Sequence, residues 1–278
     1  MTDQRLAPSA VAEEVREAAA ELLPLLCEGK TGQFALTVSG SLSKNTSDEL
    51  SDVDFRFYSE HPVGVHDSGW QRRWEQLRER WAERGLRLDE LWFRTIAEVD
   101  ETIDQWLAGG VAPDELIWTV WGYHPLTDLA RQVAVVDKDG LVERWRDRLE
   151  LYPASVRDAT IRRHLGPLLY WRDDYHYENK AIRGDVVFLA GLTSALVHRI
   201  LQVLAALNRV YYPGDGNNLV MADSFTIVPT EFSARVTEIL APAAPGRDFI
   251  GQRARLVTLI DEVEDLVARH TAAKERFE

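Results

Sequence analysis

The stretch LTVSGSLSKNTSDELSDVDFRFY, residues 36–58, decides how the first half of this chain folds. An apolar run ends at Gly40-Ser41, a polar loop follows, and a second apolar run opens on Asp52-Val53-Asp54. In a strand, side chains alternate, so Asp52 and Asp54 share one face while Val53 and Phe55 take the other. The loop SLSKNTSDELS is too polar for a core and rich in turn formers. A glycine permits close backbone approach, and a serine hydroxyl with nearby N–H groups can meet a phosphate. Two hard carboxylates at the mouth of such a loop suit Mg²⁺. The plainer alternative, an edge strand with wet acids, stays open on this stretch alone.

Working outward, QFALTVSG (33–40) and DVDFRFYS (52–59) read as strands. A helix is expected over 9–28, with Ser9 as cap and an apolar rhythm through Val15, Ala19, Leu22 and Leu26. Trp70, Trp74, Leu77 and Trp81 recur at helical spacing over 69–84, most simply as core, with Gly85 as the stop. LRLDELWF (86–93) reads as a third strand. Asp89 sits inside that apolar run, where an acid needs solvent or a reason, and Glu90 faces the opposite side. Asp89 is therefore the candidate third carboxylate.

A helix over 96–108 ends at Gly109-Gly110. LIWTVWG (116–122) and RQVAVVD (131–137) read as extended, with HPLTDLA (124–130) between them at most a short turn of helix. A turn at 137–140 leads into a short helix to 150. Strands separated by helices describe an α/β unit. From Pro153 the texture changes to long helical segments, over 154–169, 179–209, 229–240 and 247–275, interrupted by YYPGDGNNLVMADSFTIVP (211–229). The expected domains are 1–150 and 151–278.

The composition bounds the function. Among 278 residues, 45% are apolar and 28% charged, which is the profile of a folded chain. Lys and Arg number 32 against 45 Asp and Glu, a formal charge of -13. That argues against a broad nucleic-acid surface and makes a cationic small substrate plausible. One cysteine, Cys27, excludes an intramolecular disulfide framework and a cysteine zinc site. The N-terminus lacks the pattern of a signal peptide, and no uninterrupted apolar run reaches the length of a membrane span, so the expectation is a cytoplasmic protein with no membrane partner.

In the helical half, Asp173, His176, Lys180, Arg183 and Asp185 crowd together. Were the segment helical throughout, the first four would approach one face, and Arg183 could contact a nucleotide. The bland reading is a hydrogen-bonded domain interface. Asn208, inside an apolar helix, needs a partner if buried, and a structural bond to the following loop would supply it. His198 is by default a packed histidine.

The Gly40-Ser41 pair, the polar loop and Asp52-Val53-Asp54 together resemble the signature of the DNA polymerase beta nucleotidyltransferase superfamily. The form Ser51-Asp52-Val53-Asp54-Phe55 is similar to that of small-molecule nucleotidyltransferases that modify antibiotics. AVVDKDGLVERWRDRLELYP and AIRGDVVFLAGLTSALVHRILQVLAALNRVYYPG resemble the junction and helical domain of bacterial members of unassigned substrate. The resemblance implies an α/β (α+β) nucleotidyltransferase domain with a mixed sheet, followed by a helical-bundle domain. It implies transfer of a nucleoside monophosphate, from ATP or another NTP, to a hydroxyl of a small acceptor with release of pyrophosphate.

By that resemblance Gly40, Ser41, Lys44 and Arg183 would contact the nucleotide, and Asp52, Asp54 and Asp89 would hold two Mg²⁺ ions and carry catalysis. Two departures stand out: Lys44-Asn45 where many relatives place a further glycine, and Asp215 where many have a basic residue. Two other functions fit the same residues, an enzyme that modifies protein hydroxyls and a catalytically degenerate nucleotidyltransferase fold used for binding. Homodimerisation is open to each.

Overall fold

The computed structural model describes residues 12–28, 32–44, 47–62, 68–110, 125–214, 216, 218–241 and 248–271. The expected extended segment 116–122, the cap Ser9, and Asn45, Asp215 and Asn217 lie outside them. The chain divides into two compact units, Met1–Asp104 with Pro125–Leu151, and Gln105–His124 with Tyr152–Glu278.

The first unit runs α1 (Glu13–Cys27), β1 (Phe34–Val38), α2 (Gly40–Ser43), β2 (Phe55–Ser59), α3 (Ser68–Glu83), β3 (Trp92–Thr95), α4 (Ile96–Leu107, which passes into the second unit at Gln105), α5 (Pro125–Arg131), β4 (Val133–Asp137) and α6 (Leu141–Glu150). Its four strands form one mixed sheet in the order β3-β2-β1-β4. β1 pairs antiparallel with both β2 and β4, while β2 and β3 run parallel. The parallel pair is joined through α3, the crossover that parallel strands require.

Alternation along β2 and the two residues before it assigns two faces. Val53, Phe55 and Phe57 enter a core with Val15, Leu22 and Leu26 of α1 and with Trp70, Trp74, Leu77 and Trp81 of α3. The tryptophan stripe is core, as its spacing indicates. Asp54, Arg56 and Tyr58 occupy the other face, where Tyr58 meets Trp145 of α6 edge-on at 4.9 Å between ring centres. β2 is thus covered on both sides, and its polar residues lie beneath helices rather than in water. Of HPLTDLA, expected as at most a short turn of helix, residues 125–130 lie in the seven-residue α5, in which Leu126 and Leu129 are buried.

The second unit is a helical bundle of α7 (Ala154–Asp173), α8 (Tyr175–Arg183), α9 (Val186–Leu207), α10 (Asn218–Asp223), α11 (Phe232–Leu240) and α12 (Phe249–Thr271). Its core gathers Ile161 and Leu168 of α7, Leu196, Ile200 and Leu204 of α9, Val236 of α11, and Leu256, Ile260 and Val263 of α12. The single helix expected over 179–209 is two. Gly184 adopts φ +67° and closes α8, and Asp185 caps α9 by accepting from the Phe188 N–H at 3.4 Å.

α9 is the one described helix long and apolar enough to cross a membrane, with a mean hydropathy of 1.7. Half of that stretch is buried within the protein, and its core side chains pack against α7 and α12. A bundle's central helix meets the same length and composition criteria.

Candidate functional site

The site begins where β1 ends. The Ser39 N–H donates to the Asp54 carbonyl at 2.9 Å, which draws the Gly40 turn against the acidic strand. Gly40 takes φ +60°, and a Cβ placed there would lie 1.7 Å from Asp54 Oδ2. Only glycine meets both conditions. Ser41 follows within the short α2, and Ser43 Oγ donates to the Gly40 carbonyl at 2.9 Å to close that turn. Lys44 ends α2 and is half-buried. The Ser39 hydroxyl is fully buried and has no hydrogen-bond partner among the described residues.

Backbone pairing sets the three predicted carboxylates on one side of the chain segments that carry them. Val53 and Leu88 form a parallel bridge, with the Val53 N–H donating to Arg87 O at 2.8 Å and the Asp89 N–H to Val53 O at 3.1 Å. Paired residues in adjacent strands point the same way. Val53 and Leu88 both enter the core, so Asp52, Asp54 and Asp89 project from the opposite side and are half-buried. Glu90 is exposed.

The electrostatics of Asp54 reflect that proximity. Burial pushes its carboxyl up to about 6 from 3.8; Arg56 opposes the change, and the charges of Asp52, Asp89 and Asp128 add to it. Desolvation disfavours the anion, and each neighbouring carboxylate raises the cost of another negative charge.

Two residues of this cluster were missed in the sequence. Arg56 lies two residues beyond Asp54 and so shares its strand face; its Nη2 stands 3.4 Å from Asp54 Oδ1 and 3.5 Å from Asp128 Oδ2. Its guanidinium also lies over the Trp92 ring, 4.6 Å from the centroid. The side chains of Arg56, Asp54 and Asp128 are 8%, 17% and 14% exposed, so this is a buried acid–base–acid group rather than a surface ion pair. Period two was the available signal for Arg56. Asp128 comes from α5, 72 residues further along, and no local pattern connects it to the strand. α5 is anchored at its end by Gln132, whose Oε1 accepts from Thr37 Oγ1 of β1 at 2.8 Å within the core.

Asp52 and Asp54 offer the hard oxygens that Mg²⁺ prefers. Mg²⁺ commonly takes one or two protein carboxylates and completes its shell with water and phosphate. Among the described residues no three His, Cys, Asp or Glu side chains converge closely enough to hold an ion unaided. Asp52 and Asp54 would give such an ion two of its oxygens, and a ligand's phosphates and water would have to give the rest.

The helical-half candidates separate. Arg183 ends α8 in the second unit and is exposed, lining a surface cleft of about 280 Å³ with Gly184, Asp248, Phe249 and Ile250. The shared helical face expected for Asp173, His176, Lys180 and Arg183 does not form. The chain leaves helix at Asp174, so Asp173 ends α7 and pairs with Arg172 at 2.8 Å. Lys180 pairs instead with Asp185 at 2.6 Å.

Asn208 is a structural residue. Its Nδ2 donates to Leu204 O and Ile227 O, both at 2.8 Å, and its Oδ1 accepts from the N–H groups of Thr226 and Ile227 at 3.0 Å. His198 is buried with its ring against the Tyr212 hydroxyl, 2.8 Å from Nδ1.

Residues 118–216 match the model of a domain of unknown function, DUF4037. The matched span includes Asp128 and Arg183 and ends before α10; Gly40, Asp52, Asp54 and Asp89 precede it. No curated protein matches the chain. The structure itself is a mixed four-stranded sheet with flanking helices followed by a helical bundle, an architecture consistent in outline with polymerase-beta-like nucleotidyltransferases.

Proposed function

We propose that the first unit is a nucleotidyltransferase-fold binding module that takes a nucleoside triphosphate, with its Mg²⁺, between the Gly40-Ser41 turn and Asp52/Asp54. The observation that carries this reading is the fit of Gly40 against Asp54, where a side chain on either conformational or steric grounds would close the approach. Phosphate oxygens would complete a shell that the carboxylates leave open. A binding role is favoured over turnover by the absence of a converging ligand trio among the described residues and by the Arg56 guanidinium already placed beside Asp54.

Nucleotidyl transfer to a hydroxylated, cationic acceptor is the second reading. It is favoured by one observation, the isolated Val53–Leu88 bridge that sets Asp89 and Asp54 on one side. In that reading the acids would position the reacting groups and offset charge rather than enter covalent chemistry.

Calorimetric titration with ATP and Mg²⁺ tests the first reading. Saturable binding by the wild type, weakened about tenfold or more in Asp54→Asn, is expected, since charge-assisted contacts contribute at this level. Pyrophosphate release is followed in parallel, with hydroxylated amines and with protein acceptors. Release that depends on a small acceptor and is lost in Asp54→Asn would replace the binding role with the transferase one. Protein-dependent release would point to protein modification. A wild type that binds no nucleotide sinks all three.

A further inference from the structure

We propose that the cleft between α11 and α12 of the helical unit binds a free aliphatic α-amino acid, with its carboxylate on Arg255 and its ammonium on Glu238. The site uses no residue of the first unit.

The cleft has a volume of about 300 Å³ and is lined by Ala234, Arg235 and Glu238 of α11 and by Arg255 and Thr258 of α12. Small-ligand sites begin at about this size. Residues three and four apart share a helix face, which sets Ala234 and Glu238 on one wall and Arg255 and Thr258 on the other.

The charges in this cleft are unevenly committed. Arg235 donates from Nη1 and Nη2 to the two Glu262 oxygens, both at 2.8 Å, and that bidentate pair is self-contained. Arg255 has no such partner among the described residues. Its Nε is buried without a hydrogen bond, and its Nη1 stands 3.8 Å from Asp248 Oδ2, beyond hydrogen-bond reach. Asp248 is engaged elsewhere, its Oδ1 accepting from the Gly251 N–H at 2.8 Å at the start of α12. Glu238 is exposed and forms no ion pair or hydrogen bond among the described residues, Arg255 included. Thr258 donates its hydroxyl proton to Ala254 O at 3.1 Å, which leaves its oxygen as an acceptor.

One uncommitted charge of each sign selects the ligand. A simple anion is repelled by Glu238 and a simple cation by Arg255, so each is disfavoured by the group it does not use. A zwitterion satisfies both. Its carboxylate matches the outer fork of a guanidinium that stays charged at every accessible pH. Its ammonium brings three donors, suited to the Glu238 carboxylate and the Thr258 oxygen. The aliphatic stems of Arg235 and Arg255, with Ala234, give apolar surface to the ligand's own side chain.

Calorimetric titration of the full chain with L-leucine tests this, beside 4-methylpentanoate, which lacks the amine, and 3-methylbutylamine, which lacks the carboxylate. Leucine should bind with a Kd of about 1 mM or below, as suits so small a ligand. Each analogue should bind at least about tenfold more weakly, the loss of one charge-assisted contact. Arg255→Gln should weaken leucine binding by about the same factor. Glu238→Gln should bring leucine and 4-methylpentanoate to within about twofold of each other, a loss of discrimination that a structural role for Glu238 would not produce. Equal binding of leucine and 4-methylpentanoate by the wild type would overturn the assignment. So would leucine binding unchanged in Arg255→Gln, or no leucine binding into the millimolar range.

Should Arg255→Gln fail to fold, wild-type amide chemical shifts supply the second measurement. Leucine should move the signals of α11 and α12 saturably and leave those of β1 and β2 in place. Saturable shifts confined to the first unit would sink the proposal.

Discussion

Asp54 carries two opposed demands. Its carboxyl is pushed up to about 6 against 3.8 in the unfolded chain, chiefly by burial. A raised acid binds its proton more tightly in the folded state, so its stabilising share is complete below 3.8 and is lost as the pH rises through 6. At neutral pH the ionised group therefore opposes folding. Asp54→Asn should be more stable than wild type by roughly 2 kcal/mol at pH 8, given the cost of holding a buried carboxylate ionised, with the gap narrowing towards pH 4.5. Urea unfolding at the two pH values measures it. A variant that loses ligand binding while gaining stability has the signature of a functional residue held at a folding cost. Gly40 and the aspartates could be found in the sequence because their constraints are local. Arg56 was equally local, two residues on along the same face, but its charge sets it apart from the acidic pattern of Asp52 and Asp54. Asp128 was beyond reach, since its place depends on how α5 packs.

At the level of elements, the break between α8 and α9 shows what an apolar rhythm hides. Buried positions recur on both sides of residues 184–185, so periodicity alone runs one helix through them. The Arg-Gly-Asp sequence carries the finer signal: glycine suits the left-handed residue after a helix, and aspartate suits the cap before the next. Gly184 differs from Gly40 in its surroundings. A Cβ at Gly184 would meet only the Phe249 ring, at 3.8 Å, an ordinary contact. Gly184→Ala should therefore cost about 1 kcal/mol through the positive φ alone, measured by urea unfolding, and should leave the first unit's ligand binding unchanged. A stabilised Gly184→Ala protein would show that the two helices prefer to fuse. The sheet was legible in part: β1, β2 and β4 lie inside the expected segments, while β3 (Trp92–Thr95) begins six residues later than the strand expected over 86–93. What the alternation leaves unstated is that the polar face of β2 is covered as well, because α5 and α6 return to it from 70 or more residues away.

Across the whole molecule, the two units should respond to acid with opposite signs. In the bundle, burial pushes His164 down to about 4, with Arg199 and Arg163 adding to the effect. Burial likewise pushes His198 down to about 3, with His164 and Arg199 contributing, and its ring sits against the Tyr212 hydroxyl. Both rings stay neutral in the fold where the unfolded chain would begin to take up protons near 6.5. Below that pH the unfolded state binds protons that the folded state refuses, so stability is full above 6.5 and falls as the pH drops towards the folded values. The sheet unit contains Asp54, whose protonation relieves it over part of the same range. Hydrogen exchange at pH 7 and pH 5, corrected for intrinsic rates, should show α7 and α9 losing protection while β2 holds or gains it. The bundle's melting transition should fall by about 5 °C over the same interval. His198→Gln, which retains a hydrogen-bonding partner for Tyr212, should flatten that dependence. Parallel loss of protection in both units, or a pH dependence unchanged when His164 and His198 are both replaced by Gln, would place the acid sensitivity elsewhere than in the buried histidines.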